Sequence, residues 1–363
     1  MSRCKIRVPG RVNLIGEHID YHNLPVLPMA IPRYITLEWA PSKGNLVQVE
    51  SAGYGVRQLP LGGFIEPSAP GDWENYLKAA VKAVQTRWSV SMGFQGSITS
   101  DLPSAAGLSS SSALITALTL ALLYANDIQP TLEDLMSILP EGEQFVGTRG
   151  GGMDHAAVLA SREGFASLLH FNPFAVEHVR VPEDWRFLVA HSLVRAEKSG
   201  AAKARYNSCR TAGLSALAKL GLSSFKEAKL EDVASLSGDE RDAFQHVVSE
   251  SHRVTQAVDA MRCGRRAEFG AILSASHGSL RCQLQVSCPS LDRIVDIANS
   301  SGADGARLTG AGFGGCAIIV CNDITKPVIM AALERKFYAQ HAEYNRNEHL
   351  LDVTPANGAL YAN

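Results

Sequence analysis

The 363-residue sequence has no excess of either charge: 34 Lys and Arg stand against 36 Asp and Glu, a formal net charge of -2. The signs are mixed along the chain, whereas a nucleic-acid or anionic-membrane partner normally requires a concentrated basic face, so a small-molecule ligand is expected instead. Long apolar runs are absent too. The longest, Ala113 to Ala125, falls short of the roughly 20 residues that cross a bilayer, and the opening MSRCKIRVPG lacks the apolar segment of a secretory signal, so a cytoplasmic protein is expected. Cysteine is sparse. Seven residues, an odd number without a CxxC pair, fit reduced thiols better than a disulfide framework or a zinc site, and Cys4, Cys288 and Cys316 read as packing residues. No internal repeat or low-complexity tract is visible, which excludes a solenoid or an array.

Motifs of the common nucleotide folds are also missing. No GxxxxGK[ST] loop, no GxGxxG at a strand-to-helix turn and no HRD or DFG occurs, so Walker ATPases, dinucleotide enzymes and the protein-kinase fold lose ground. Any phosphate site must be of another type. SSFK at 223 to 226 fits SxxK, but neither SDN nor KTG accompanies it, and a four-residue pattern arises easily by chance.

What is present is ample material for a core, 46% hydrophobic and 19% charged, as in a globular protein with two domains or one large one. Strands and helices interleave. Val12 and Leu14 alternate with polar positions, VLPMAI at 26 to 31, YITLEWA at 34 to 40 and LVQVES at 46 to 51 read as strands, and Met92 to Ile98 alternates as another. Trp73, Tyr76, Leu77, Ala80, Val81, Val84 and Trp88 mark one helix face, and helical periodicity dominates from about 200 to 300. A strand at Arg307 to Thr309, the glycine-rich GAGFGG, a strand CAIIV and a helix from Pro327 to Ala339 follow. This mixed order predicts two α+β domains and not a doubly wound parallel sheet.

Three stretches carry candidate chemistry. GRVNLIGEHIDYHN, residues 10 to 23, sets an Arg, a Glu, two His and an Asp around a short apolar core. DLPSAAGLSSSSALITALTLALL, from residue 101, predicts a helix start with exposed N–H donors and hydroxyls, a natural phosphate site, although a Ser N-cap on a buried helix would read the same way. EQFVGTRGGGMDH, from residue 143, brings three glycines that let backbone approach a ligand, with Asp154 beyond them at the start of a helix; alone, it is equally a flexible turn and an N-cap.

Jointly these stretches resemble the galactokinase family of GHMP small-molecule kinases. PGRVNLIGEHIDY resembles its signature, LPSAAGLSSSSAL its phosphate-binding loop, GTRGGGMD its catalytic-Asp segment, SHGSLRCQLQVSCPSLD a further stretch and RLTGAGFGGCAIIV its glycine-rich third motif, all in order from about residue 5 to the end. The resemblance implies a two-domain α+β GHMP kinase fold: a ribosomal-protein-S5-like N-terminal domain over residues 1-160 and a ferredoxin-like C-terminal domain over 161-363. It implies ATP-dependent phosphorylation of the anomeric hydroxyl of galactose. Glu17, His18 and Asp20 would hold sugar hydroxyls, with Gly151 and Tyr206 beside them. A misplaced hydroxyl would leave such buried groups unpaired, which is how they would discriminate epimers.

By the same resemblance, Asp154 would accept or orient the anomeric proton and Arg11 would offset charge on the transferring phosphoryl group. Gly107, Leu108, Ser109 and Ser110 would meet the phosphates; Mg²⁺ would be held by Ser111, with Ser110 as fallback in the four-Ser run, and by Glu143. Trp73 and Asn75 would lie near adenine, and GAGFGG would let backbone pass close to the site. Three positions depart from the family pattern: HNL at 22 to 24 stands for NGG, MDH for MDQ, and CQLQVS at 282 to 287 for DDYEVS. None removes a proposed catalytic group, but they leave room for an N-acetylgalactosamine or other sugar 1-kinase, and His155 beside the base could alter its pH profile. A sugar- and ATP-binding regulator on the same fold is the alternative outside enzymes; Asp154, Arg11 and the Ser run count against it.

Overall fold

The computed structural model describes residues 4–103, 106–145, 151–195 and 200–361. Residues 104–105 of the Ser-rich stretch and 146–150 of the GTRGGG stretch lie outside the described residues. The N-terminal half is built on a five-stranded sheet of β1 (Cys4–Ile15), β2 (Leu27–Pro41), β3 (Leu46–Ser51), β4 (Gly55–Pro60) and, after helix α1 (Glu74–Gln85), β5 (Phe94–Ser100), in the order β1-β2-β5-β3-β4. The two strands expected at 26 to 31 and 34 to 40 are one. Residues 32 and 33, including a proline, form an irregularity in the register where Pro9 pairs with Tyr34 but Gly10 pairs with Ile31. A bulge of this kind keeps the ladder running past a residue that cannot donate to it.

Helices α2 (Ser110–Ala125), α3 (Leu132–Phe145) and α4 (Met153–Ala160) complete this half. Helix α2 is buried almost all round, which fits its near-continuous apolar sequence and makes it a central core element. On α1 the expected face is the buried one: Leu77, Ala80, Val81 and Val84 are inside, with Trp73, Tyr76 and Trp88 packed at the margin. The hairpin β6 (Phe165–His170) and β7 (Ala175–Arg180) joins this half through a bridge between Leu169 and Val26.

The C-terminal half runs β8 (Arg186–His191), helices α5 (Gly200–Leu220), α6 (Gly238–Arg262), α7 (Arg266–Cys282) and α8 (Pro289–Ser300), then β9 (Gly305–Thr309), β10 (Cys316–Cys321), α9 (Thr325–Lys336) and β11 (Leu350–Val353). Its sheet is fully antiparallel in the order β11-β8-β10-β9. This is a β-α-β-β-α-β ferredoxin-like arrangement with additional helices in the first crossover.

The halves meet along β1. Although β1 is an edge strand of its sheet, every residue from Val8 to Ile15 is buried, because β9 lies across it. The Asn13 N–H donates to Thr309 Oγ1 at 2.9 Å, and the fully buried Arg307 donates to the Leu14 carbonyl at 2.7 Å. The polar positions that alternate with Val12 and Leu14, Arg11 and Asn13, are therefore buried and not in water. Of the cysteines expected to pack, Cys316 is buried and Cys288 half-buried, whereas Cys4 is exposed at the free start of β1.

Candidate active site

The Arg11 side chain leaves the middle of β1 and meets Asp154 in the first turn of α4. Its Nε donates to Asp154 Oδ1 at 2.7 Å, Nη2 lies 2.6 Å from the same oxygen, and Nη1 donates to the Gly107 carbonyl at 2.7 Å. The Arg11 N–H also donates to the Leu108 carbonyl at 3.1 Å. One residue thus ties together the three stretches singled out in the sequence. Burial works against the Arg11 charge, but Asp154, Glu17 and Glu143 more than offset it and hold its pKa above the ordinary value.

Residues 16 to 23 form a tight loop after β1. His18 is left-handed at φ 61°, a conformation rare for a residue with a side chain and found where a surrounding structure imposes it. Its Nδ1 pairs with the Tyr21 hydroxyl at 2.9 Å and its Nε2 lies 3.1 Å from the Ala311 carbonyl, which can only accept, so Nε2 carries the proton. Burial pushes the His18 pKa down to about 3, leaving a neutral ring. Glu17 accepts from the Gly310 N–H at 2.6 Å and pairs with Arg307 at 3.1 Å. Burial raises the Glu17 pKa, opposed by Arg307 and Arg11.

Asp20 accepts from the Gly151 N–H at 2.9 Å. Burial and then the neighbouring Asp154 charge raise its pKa to about 6. A Cβ on Gly151 would lie 2.4 Å from the Asp20 carbonyl carbon, so only glycine lets the two backbones approach this closely. The Tyr206 ring stands 5.2 Å from that of His18 and 5.6 Å from that of Tyr21. Burial, and then the carboxylates of Asp20, Asp154, Glu143 and Glu17, raise its hydroxyl pKa well above the ordinary value; the expected sugar and catalytic residues therefore converge on one place.

The Ser-rich loop lies across from them. Ser109 is left-handed at φ 60° and precedes α2, whose first turn carries Ser110, Ser111 and Ser112. The Ser109 hydroxyl is buried without a partner among the described residues. Gly310 of the GAGFGG stretch is left-handed too, and a Cβ there would come 3.1 Å from the Gly107 carbonyl oxygen, so this stretch braces the Ser-rich loop backbone to backbone. Glu143, at the end of α3, is buried; its Oε1 accepts from Ser112 at 3.2 Å and its Oε2 lies 3.5 Å from His155 Nε2. Ser112, one residue beyond the serine expected to share a metal with Glu143, thus donates to its carboxylate.

Trp73 and Asn75 stand at the start of α1. The Trp73 indole donates to the Tyr54 carbonyl at 3.1 Å, and the Asn75 amide accepts from Ser68 N and donates to the carbonyls of Ser68 and Ala69, closing the turn before α1.

Sequence reasoning missed the groups behind the loop. His246 on α6 donates through Nε2 to the Glu17 carbonyl at 2.9 Å, and Glu250, one turn on, accepts from the Gly16 N–H at 3.0 Å. Burial lowers the His246 pKa to about 4; for Glu250 burial is outweighed by Arg253, His246 and Arg307, which bring it down to about 2. The sequence signal for these groups is a His and a Glu at helical spacing, undistinguished from the other polar residues of α6.

Residues 2–41 match the family described as "Galactokinase galactose-binding signature", residues 75–162 "GHMP kinases N terminal domain" and residues 256–340 "GHMP kinases C terminal". A curated galactokinase of Pyrococcus furiosus is 34% identical over 94% of this chain and 95% of its own length. The chain belongs to the galactokinase family. Another galactokinase, from Roseiflexus sp., is 35% identical over 86% of this chain and 82% of its own. Among solved structures, Lactococcus lactis galactokinase complexed with galactose has a TM-score of 0.89 at 25% identity, covering 98% of this chain and 94% of that one. A Methanococcus jannaschii mevalonate kinase shares the fold at a TM-score of 0.68 and 20% identity, covering 98% and 99%. As a galactokinase-family member, the chain is a GHMP sugar kinase, a phosphotransferase that uses ATP.

Proposed function

We propose that the protein transfers the γ-phosphoryl group of ATP to the anomeric hydroxyl of galactose, giving galactose 1-phosphate and ADP. The observation that carries this reading is the Arg11–Asp154 pair, which lies between the Ser-rich loop through Gly107 and the Asp20–Gly151 contact through α4. Glu17, His18, Asp20 and Tyr206 are the sugar-binding residues, with Gly151 holding Asp20 in place. The anomeric proton passes to Asp154 as the sugar oxygen forms its bond to the γ-phosphorus and the bond to the β-phosphate oxygen breaks. Arg11, fully charged at any working pH, faces the charge that develops on the transferring group.

Gly107, Leu108, Ser109, Ser110 and Ser111 are assigned to the phosphates, with the start of α2 supplying N–H donors and positive dipole. Trp73 and Asn75, at the start of α1 packed beside α2, are assigned to the adenine side. A carboxylate and hydroxyls are the hard oxygen donors that suit Mg²⁺, and Ser111 and Glu143 would hold it, with Ser112 fixing the Glu143 carboxylate. When bound, Mg²⁺ neutralises charge on the β- and γ-phosphate oxygens. The reading divides the chain into domains 1-160, on the five-stranded sheet, and 161-363, on the four-stranded sheet, with the β6–β7 hairpin of the second part bridged to the first at Leu169 and Val26. Its seven free cysteines fit a cytoplasmic protein.

A coupled ADP-release assay across free galactose, glucose and N-acetylgalactosamine tests the proposal. Galactose is expected to have the highest kcat/KM. A higher value for N-acetylgalactosamine would reassign the substrate, and no ADP release with any hexose would favour a regulator.

A further inference from the structure

The sugar loop is held from behind by hydrogen bonds to its backbone. Glu250 Oε1 accepts from Gly16 N at 3.0 Å and His246 Nε2 donates to Glu17 O at 2.9 Å. Both side chains are fully buried and stand one turn apart on α6. Each is anchored in turn by a serine of α7, Ser276 donating to Glu250 Oε1 at 2.7 Å and Ser279 pairing with His246 Nδ1 at 2.7 Å. The second Glu250 oxygen is taken by Arg253 Nε at 2.7 Å. The result is a three-rung ladder from α7 through α6 to the loop.

The chemistry of the ladder is specific. The Glu17 carbonyl can only accept, which fixes the proton on His246 Nε2 and leaves Nδ1 as an acceptor facing the Ser279 hydroxyl, which also touches the side-chain amide of Gln283. Around these two groups α6 packs with apolar residues, Val247 and Val254 among them, which would fill the seam without fixing a register. Burying an imidazole and a carboxylate is unfavourable unless their hydrogen bonds are complete, and here the loop backbone completes them. Hydrogen bonds to the Gly16 N–H and the Glu17 carbonyl hold the two peptide units that flank these residues, fixing where the backbone enters and leaves them, which apolar contact would not.

We infer that His246 and Glu250 are positioning residues for the sugar site: through the backbone of Gly16 and Glu17 they set where the Glu17, His18 and Asp20 side chains stand toward the hexose. The inference rests on the sugar-site reading proposed above. Neither residue touches substrate in this account. Their effect is on sugar affinity, and ATP, bound at the start of α2, is unaffected.

The test compares His246→Leu, which keeps bulk but removes the donor, with His246→Gln, whose amide nitrogen can stand where Nε2 stood. Galactose Kd by calorimetry, KM for galactose and for ATP, and the melting temperature are measured for each. His246→Leu is expected to raise galactose Kd and KM about tenfold, the scale of an orphaned buried carbonyl, with the ATP KM within about twofold. His246→Gln is expected to recover most of that affinity. Wild-type galactose affinity in a folded His246→Leu protein, or equal loss in the Leu and Gln variants, overturns the inference.

Should His246→Leu not fold, Ser279→Ala tests the next rung out, with a rise of about threefold expected in galactose Kd and no change overturning the inference. Asp20→Ala is run beside them to separate the two readings. Lost binding in Asp20→Ala with none lost in the His246 variants overturns the positioning role alone, whereas unchanged galactose binding in Asp20→Ala overturns the sugar-site reading and this inference with it.

Discussion

Arg11 and Asp154, 143 residues apart in sequence, share a doubly bonded ion pair at 2.6 to 2.7 Å, and the same guanidinium reaches the Gly107 carbonyl. The base candidate is therefore anchored by the group that would face the phosphoryl oxygens, and its position depends on β1 as much as on α4. Asp154→Asn keeps a hydrogen-bond acceptor for Arg11 but cannot take a proton. It is expected to lower kcat by roughly 10²-fold or more with sugar and nucleotide affinity retained, the scale of losing a general base. Calorimetric titrations beside steady-state kinetics check this, and wild-type turnover would reject the role.

Glu143 divides its oxygens between Ser112 and His155. Ser111→Ala and Ser112→Ala should therefore differ. The first removes the proposed metal ligand and the second releases the carboxylate, so each is expected to raise the half-saturating Mg²⁺ concentration by about tenfold or more. Only Ser112→Ala, which empties a fully buried contact, is expected to lower the melting temperature as well. A magnesium titration of activity and a thermal melt distinguish them.

Asp20 carries a raised pKa of about 6 against an ordinary 3.8. The folded protein holds a proton there that the unfolded chain releases between these values, so stability from this group is present below about pH 4 and lost as pH rises through 6. Asp20→Asn removes the buried charge and can still accept from Gly151. It is expected to gain up to about 3 kcal/mol of stability at pH 7, the free energy of a two-unit shift, while losing sugar affinity. In the unsubstituted protein kcat/KM for sugar should fall as pH drops below 6, because the protonated carboxyl loses acceptor capacity. Melts at two pH values and a pH–rate profile check both signs.

Gly151→Ala is expected to act on the same carboxylate from the other side. The added methyl group would overlap the Asp20 backbone, forcing residue 151 away and breaking its hydrogen bond. Sugar Kd should rise roughly tenfold or more, the range for a hydrogen bond to a charged group.

Much of this arrangement was legible in the sequence because its parts are local. The α1 face, the long apolar α2, the Ser-rich helix start and the closing β9, β10 and α9 elements each declare themselves by period or by composition. The β2 bulge did not, since a Pro within a strand pattern reads as a break. Strands β6, β7, β8 and β11 did not either: they are short, and β8 and β11 take their partners from distant parts of the chain. Around Arg11 and Asp154 stand Asp20 with Gly151, Glu17, Tyr206 and the Gly107 end of the Ser-rich loop, whereas Trp73 and Asn75 make their contacts at the start of α1. Ser112 at Glu143, and His246, Glu250 and Arg307 behind the loop, were not visible, because what gives a buried polar residue its role is a partner more than 200 residues away for the last three.

The span of those bonds has a consequence for synthesis. Residues 10 to 23 leave the ribosome long before the groups that shape them: the Ala311 carbonyl that meets His18 follows 293 residues later, as does Gly310 for Glu17. At the usual rate of about 5–20 residues per second the loop waits many seconds without the groups that shape it. A nascent or truncated chain ending before β9 would carry residues 2–41, which match the galactose-binding signature, and still lack the contacts that shape the loop, so a ligand of this loop can assist folding only after the GAGFGG stretch has emerged.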